Sequence, residues 1–354
     1  MNHQEVFKVR TKRHFISKAL EIFLLQSEKN SVYRKYVRQL GVNPDQVKSV
    51  EQIPFLPIEF FKTQKVKTVM SHESRVLRKE NSALFLSSGT TGVERSKHYV
   101  SDLNLYEASF RKCFDLFYGD VAKSRFSRDP SSGGYSILAF LPSYYENKKS
   151  SLLYMVNNLM KRSGKKESRF YKTNEQKTLF QTIEKLLAKK KKVILFGVSY
   201  ALLDLTPPAF RLSPLSQGRG VRGEVIVLET GGMKGKREEI TREELHKTLC
   251  EKFGVKKIHS EYGMTELLSQ AYSKGEGIFN CPPWMKVLIR DPNDPFSFLP
   301  AGKTGAINII DLANINSCSF IATQDVGRVY KNGSFEVLGR MDNSDLRGCN
   351  LLAE

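Results

Sequence analysis

Three short runs along the chain are apolar at nearly every position: SILAFLP (136–142), KVILFG (192–197) and EVIVLE (224–229). Each ends in glycine, proline or polar loop residues, the pattern of strands buried on both faces of a parallel sheet. Between and after them the period changes. SSLLYMVNNLMKR (150–162) and TNEQKTLFQTIEKLLAKK (173–190) read as crossover helices, and TREELHKTLCEKFG (241–254) carries a capping box from Thr241 to Glu244 and a terminating Gly254. This alternation predicts βαβ units and an α/β fold whose ligands collect at the loops after the strands. Further on, RVYKNGSFEVLGR (328–340) alternates around Asn332-Gly333, the favoured chemistry of a two-residue hairpin turn. A smaller β-rich lobe is therefore expected over 281–340, following a 1–280 core and preceding a 341–354 tail.

Composition narrows the class. A chain of 354 residues at 40% hydrophobic content can bury one large core or two modest ones. No stretch approaches the roughly 18 apolar residues that span a bilayer, and the opening MNHQEVFKVRTKRH lacks a signal-peptide core, so an unexported cytoplasmic enzyme without a transmembrane segment is expected. The five cysteines (Cys113, Cys250, Cys281, Cys318, Cys349) are odd in number and scattered, which argues against a disulfide framework or structural zinc. A formal net charge of +19 invites a polyanion reading. Its densest run, Lys189 to Lys192, closes an amphipathic helix where cations complement the dipole, and KRSGKKES (161–168) reads as an exposed loop. No interleaved aromatic and basic pattern accompanies either, so nucleic acid is not expected as a partner; an acidic protein, an anionic lipid surface or simply solubility stays open.

Candidate chemistry starts at Ser87-Ser88-Gly89-Thr90-Thr91-Gly92, after the apolar run ALFL and before Lys97. Glycines let backbone amides face an anion and the hydroxyls add donors, which suits phosphate oxygens, although the loop is not a Walker A sequence. Glu261-Tyr262-Gly263-Met264-Thr265-Glu266 follows, with a tyrosine able to stack on a purine, a threonine able to bond phosphate and a glutamate able to hold a divalent cation. Gln324-Asp325-Val326-Gly327 and Gly339-Arg340-Met341-Asp342 then place a carboxylate and an arginine suited to ribose or phosphate oxygens.

In this order, SSGTTG, Gly231-Gly232, YGMTE, the QD segment and GRMD resemble the motif series of the adenylate-forming (ANL) superfamily. The resemblance implies an α/β large-domain fold, with mixed and parallel sheets flanked by helices, that uses ATP and Mg²⁺. It implies that Ser87 to Gly92 and Thr265 cradle the triphosphate, and that Gly231, Gly232, Tyr262 and Gly263 flank adenine. It further assigns Glu266 to Mg²⁺ and Asp325 and Arg340 to ribose. Within the superfamily the chain is similar to LuxE-type acyl-protein synthetases over IPFLPIEFFKTQKV, SSGTTG, LPSYYE, SSLLYM and GRMDNSDLRGCNLL. That similarity implies activation of a fatty acid to an acyl-adenylate, transfer to a cysteine near the carboxyl end, here Cys349, and passage to an acyl-accepting protein such as a reductase or acyl carrier protein. A thiolate suits the transfer because it is nucleophilic near neutrality, and Arg347 is close enough in sequence to favour it. The chain ends soon after GRMD, so the lid domain of larger ligases, with its lysine, is expected to be lacking; Lys97, Arg95 and Lys234 are candidate substitutes.

Two other motifs need weighing. GRGVRG (218–223) spells GxGxxG but precedes a strand, so it lacks the helix that a dinucleotide loop requires. Gly197-Val198-Ser199-Tyr200-Ala201 approximates a nucleophile elbow, with Glu229 and His259 following in hydrolase order. The alternative readings are thus a serine acyl hydrolase or acyltransferase using Ser199, an acyl-carrier-protein or CoA-type ligase, and a nucleotide-binding partner without chemistry.

Overall fold

The computed structural model describes residues 3–69, 81–88, 94–121, 134–142, 147–207, 223–232 and 240–341. The chain divides into two units, one comprising residues 1–109, 265–269 and 280–354, the other 110–264 and 270–279. The chain enters the second unit at Phe110 and returns to the first at Asn280, so residues 1–109 and 280–354 share one unit.

The first unit opens with α1 (Lys12–Lys29), capped when the Thr11 side chain accepts from the His14 amide, and α2 (Ser31–Gln39), capped the same way by Asn30. A two-residue strand β1 (Leu56–Pro57), a short helix α3 (Phe60–Thr63) and a hairpin of β2 (Ala83–Leu86) and β3 (Lys97–Val100) follow. Helix α4 (Leu103–Tyr118) leads into the second unit.

There the expected strands and helices alternate: β4 (Ser136–Phe140), α5 (Ser151–Ser163), β5 (Arg169–Phe170), α6 (Gln176–Ala188), β6 (Val193–Val198), α7 (Ser199–Asp204), β7 (Val225–Thr230), α8 (Arg242–Phe253), β8 (His259–Tyr262) and β9 (Ala271–Ser273). Strands run in the order β9-β8-β7-β6-β4-β5, parallel except for β9. Every residue of β4 and β6 is buried, which is why their sequences run apolar instead of alternating. Thr241 and Glu244 form the capping box of α8, and Gly254 ends the helix in the left-handed region at φ +62°.

After β10 (Phe279–Asn280), the chain builds an antiparallel meander of β11 (Met285–Arg290), β12 (Thr304–Asp311), β13 (Phe320–Val329) and β14 (Phe335–Arg340), with β1 added parallel to β13. The Asn332-Gly333 hairpin is wider than a two-residue turn. Val329 pairs with Phe335, the Tyr330 amide donates to Ser334 O at 2.8 Å and the Gly333 amide to Tyr330 O at 2.9 Å. Asn332 is spent on the loop itself, its Oδ1 accepting from the Ser334 amide and hydroxyl, so only Gly333 takes a positive φ.

Residues 311–320, DLANINSCSF, are buried at every position although most belong to no strand. A buried loop must satisfy its backbone with side chains. Gln26 of α1 does much of this: its Nε2 donates to Asn314 O (3.2 Å) and Ile315 O (3.0 Å), and its Oε1 accepts from the Ser319 amide (3.0 Å). Asn30 Nδ2 and Thr68 Oγ1 both donate to Ser317 O, at 2.9 and 2.7 Å. Phe23, Tyr33 and Phe320 pack as a ring cluster beneath, with centroids 6.1 to 6.2 Å apart. Among the described residues, no helix is long and apolar enough to cross a membrane.

Gln26→Leu strands the Ile315 carbonyl and the Ser319 amide and leaves Asn314 O with the Ser317 amide alone, and is expected to cost about 3 kcal/mol. Urea unfolding checks this through a lower midpoint at unchanged slope.

Candidate active site

In the first unit, β2 and β3 pair from Ala83↔Val100 to Leu86↔Lys97, so the SSGTTG loop is the connection of a hairpin. Its base is clamped twice, the Ser87 amide donating to Ser96 O (3.1 Å) and the Ser96 amide to Ser87 Oγ (2.9 Å). Ser88 is exposed; Gly89, Thr90, Thr91 and Gly92 lie outside the described residues, as do Lys234 and Cys349. Lys97 is half-exposed with Nζ 3.3 Å from Glu94 Oε1, a surface pairing of little energetic weight. Arg95 is exposed.

Strand alternation turns the next residue, His98, inward. Its ring packs edge-on to Phe61 at 5.8 Å and its Nδ1–H donates to Thr265 O at 2.7 Å. Burial pulls its pKa down to about 4, so the ring is neutral at physiological pH and this tautomer is fixed by the carbonyl it serves. Glu266, the next residue after Thr265, is 4% exposed. Burial pushes its carboxyl above the ordinary value, and a hydrogen bond from Ser96 with the charge of Arg340 draws it back only in part, while Asp325 opposes them. Asp325 and Arg340 face each other across β13 and β14 with Nε 3.5 Å from Oδ1. Both lie on strands, and a register shift between Val326 and Gly327 bends the ladder beside them. The first unit thus gathers Ser96, Glu266, Asp325 and Arg340 into one electrostatic cluster.

The turn that carries Thr265 and Glu266 is held by Asp311. This buried carboxylate accepts from the amides of Leu268 and Ser269 at 2.9 Å, the Ser269 hydroxyl at 2.6 Å and the Ala313 amide at 3.1 Å. Asn314 Nδ2 donates to Glu266 O at 2.7 Å, and Trp284 Nε1 to Ser269 Oγ at 3.0 Å.

In the second unit, Gly231, Gly232, Tyr262 and Gly263 follow or end adjacent parallel strands β7 and β8, where a sheet of this type places ligands. Thr230 pairs with Glu261 in register, and its hydroxyl donates to the Glu261 carboxylate. Gly231 takes φ +71°, a turn that a side chain would strain. Tyr262 packs edge-on against Phe279 at 5.8 Å.

Beneath this loop is a buried ionic hub. Glu229, 0% exposed, accepts from Ser199 Oγ at 2.7 Å and pairs with the Arg242 guanidinium, with His246 Nε2 at 3.5 Å. Burial pushes Glu229 up, but Arg242 and hydrogen bonds from His246, Ser260 and Ser199 outweigh it and hold the carboxyl below its usual value. Ser199 Oγ also lies 2.7 Å from Gly231 O, so one hydroxyl ties the glycine turn to the hub.

A family model described as "Acyl-protein synthetase, LuxE" matches residues 152–354, more than half of the chain. The chain belongs to the LuxE acyl-protein synthetase family. Over 353 residues it is 22% identical to a long-chain-fatty-acid–luciferin-component ligase of Aliivibrio fischeri, covering 94% of this chain and 85% of the relative. Its fold matches 2-hydroxyisobutyryl-CoA ligase in the postadenylation state with 2-HIB-AMP, at TM-score 0.62, 12% identity, and 94% and 68% coverage of the two chains. ATP-bound MatB from Rhodopseudomonas palustris aligns at TM-score 0.48 and 16% identity over 77% of this chain, which spans only 50% of MatB. The α/β fold of adenylate-forming enzymes, expected from sequence, is present.

The LuxE-family chain does not assemble the hydrolase triad. Ser199 is fully buried with its proton committed to Glu229 and Gly231, and His259 Nδ1 meets Tyr118 OH at 3.3 Å. The histidine beside Glu229 is His246, one turn into α8, which bonds Ser260 Oγ at 3.1 Å. GRGVRG lies outside the described residues except Gly223, which precedes β7. Sequence reasoning missed Ser96, His98 and Asp311. Alternation from Lys97 could have flagged His98; Asp311 sits among small polar residues that look like any surface loop.

Arg242→Met leaves Glu229 as an uncompensated buried charge and is expected to lower stability by about 3–5 kcal/mol at neutral pH. Thermal unfolding of the variant checks this. Ester hydrolysis by the wild-type chain should stay at the uncatalysed background.

Proposed function

We propose that this chain activates a long-chain fatty acid with ATP and passes the acyl group to a thiol. The carboxylate oxygen attacks the α-phosphorus, the bond to the β-phosphate oxygen breaks, and pyrophosphate leaves as acyl-adenylate forms. The Cys349 thiolate then attacks the acyl carbon, giving a thioester and AMP, and an acceptor protein such as a reductase or acyl carrier protein takes the acyl group. Family membership supports the reaction class, and the relative's name supports the substrate.

The observation that carries the reading is Glu266. Its carboxylate is desolvated and only partly compensated, directly behind the clamped base of the SSGTTG loop through Ser96. An oxygen ligand in that condition fits a hard dication, whose charge repays the burial. Among the described residues no three His, Cys, Asp or Glu side chains cluster as ligands, so Mg²⁺ held by Glu266 would complete its shell with phosphate oxygens and water. Bound there, the ion would supply charge neutralisation on the triphosphate. Thr265, oriented through its carbonyl by His98, is read as a phosphate donor and Lys97 as the cation that assists adenylation. Asp325 is read as accepting from ribose hydroxyls with Arg340 beside it, and Gly231, Gly232, Tyr262 and Gly263 as flanking adenine.

Glu266→Gln is expected to lower Mg²⁺-dependent pyrophosphate release on the order of 100-fold, while raising the melting temperature at neutral pH. The sign follows from the raised pKa: the folded state holds an extra proton between the unfolded and folded values, so ionisation costs stability as pH rises through that window, and the amide never ionises. The same shift puts the acid limb of the wild-type pH–rate profile above the ordinary carboxylate range. Pyrophosphate release across acids of increasing chain length tests the activation step. Intact-mass analysis of wild type and Cys349→Ser tests the transfer: a hydroxylamine-sensitive acyl mass present only in the wild type supports Cys349, and equal acylation of both proteins removes it.

A further inference from the structure

Eight lysines of the second unit cluster at the amino-terminal end of its parallel sheet, while Lys148, Lys149, Lys172 and Lys177 lie at the other end. Every helix-to-strand turn of a parallel sheet falls at the amino-terminal ends of the strands, opposite the loops that carry Ser199, Gly231 and Tyr262. In this unit those turns are lysine-rich. Lys165 and Lys166 lie just before β5, Lys189, Lys190 and Lys191 before β6, and Lys256 and Lys257 before β8; Lys274 follows antiparallel β9 and so joins the same end. All but Lys165 are exposed. At about 4.8 Å per strand, β8 to β5 spans roughly 19 Å.

The acidic residues at this end are few. Glu167, Glu224, Glu251 and Glu276 are present, and Asp115 and Asp120 are consumed by Arg162 at 2.8 Å each. Among the described residues no carboxylate forms an ion pair with the eight lysines. Lys192 is set apart, its ammonium 5.8 Å over the Tyr135 ring. Among the described residues of the unit, the exposed large hydrophobic side chains are Leu116 and Ile240, of which Leu116 lies here, in the last turn of α4 beside Arg162's partner Asp115.

We propose that this lysine-rich end docks on an anionic membrane surface. Compact, strongly hydrated ammonium groups suit a diffuse field of lipid phosphates, whereas specific pairing with protein carboxylates or nucleic-acid phosphates favours arginine forks. A protein interface would also want a cluster of apolar anchors, and single-stranded nucleic acid a set of aromatic platforms; one leucine provides neither. The strand ends that carry the glycine turn face away from the docked surface, so docking and nucleotide chemistry are compatible.

The test is sedimentation of the full chain with phosphatidylcholine vesicles, with and without phosphatidylglycerol, at about 0.15 M salt. The wild type is expected to sediment only with the anionic vesicles, and K189Q/K190Q/K191Q to partition on the order of 100-fold more weakly. A charge-matched control in the first unit, K35Q/K303Q/K331Q, is expected to bind like the wild type, with circular dichroism confirming that both variants fold. Failure of the wild type to sediment, or equal losses in the two variants, overturns the proposal. Retention on immobilised polyglutamate without vesicle binding at the same salt assigns the face to an acidic protein and overturns it as well.

Discussion

An ionisable carboxylate taken out of water must be met by donors, and Asp311 satisfies that constraint with four hydrogen bonds from Leu268, Ser269 and Ala313. Those bonds run between the end of β12 and the turn after Tyr262, so Thr265 and Glu266 are fixed by a carboxylate on a distant strand. Even so, burial wins over the bonds and leaves the Asp311 carboxyl above its usual value. The site is therefore maintained at a standing electrostatic cost, offset by the apolar packing of Phe23, Tyr33 and Phe320 and by Gln26, Asn30 and Thr68, which satisfy the adjoining loop. This explains why the amino-terminal helices share a unit with strands more than 250 residues later.

The two buried glutamates differ in how far the protein compensates their burial. Glu229 has a guanidinium, an imidazole and two hydroxyls, and its pKa falls below the usual value; Glu266 has one hydroxyl and an arginine that is 69% exposed, and its pKa rises. A carboxylate with its compensation built in needs nothing more. One left short has its missing partner supplied by whatever binds, which is how a binding site differs from a core in electrostatic terms. The same comparison denies Ser199 the imidazole that a hydrolase serine uses, since its single proton is shared between Glu229 and a backbone carbonyl and His259 meets Tyr118.

The parallel strands, their crossover helices and the ends of α8 were legible because each depends on local pattern: unbroken apolar runs, a capping box, a terminal glycine. The order of the motifs identified the superfamily without any statement about distance. What could not be read was anything set by long-range hydrogen bonding. Gln26 and Asp311 lie 285 positions apart in the chain yet serve one buried segment, and no local period marks either. The hairpin at Asn332-Gly333 shows the opposite error, a strong local signal taken too literally: the dipeptide is present, but Asn332 spends its side chain on Ser334 and the turn widens around it.

The clearest gain from topology over sequence concerns charge. Along the chain Lys189 to Lys192 look like the solvated end of a helix, and read singly each lysine pair is unremarkable. Parallel connectivity changes this, because a right-handed crossover returns the chain to the same end of the sheet every time. Lysines separated by twenty or more residues become neighbours, and part of a net charge of +19 that composition treats as uniform is concentrated at one end of the second unit's sheet. Direction is what a bulk property lacks. A unit that carries its glycine turn at one end of the sheet and its densest lysine cluster at the other can be oriented by a field with that turn left open, and nothing in that arrangement depends on which acid is activated.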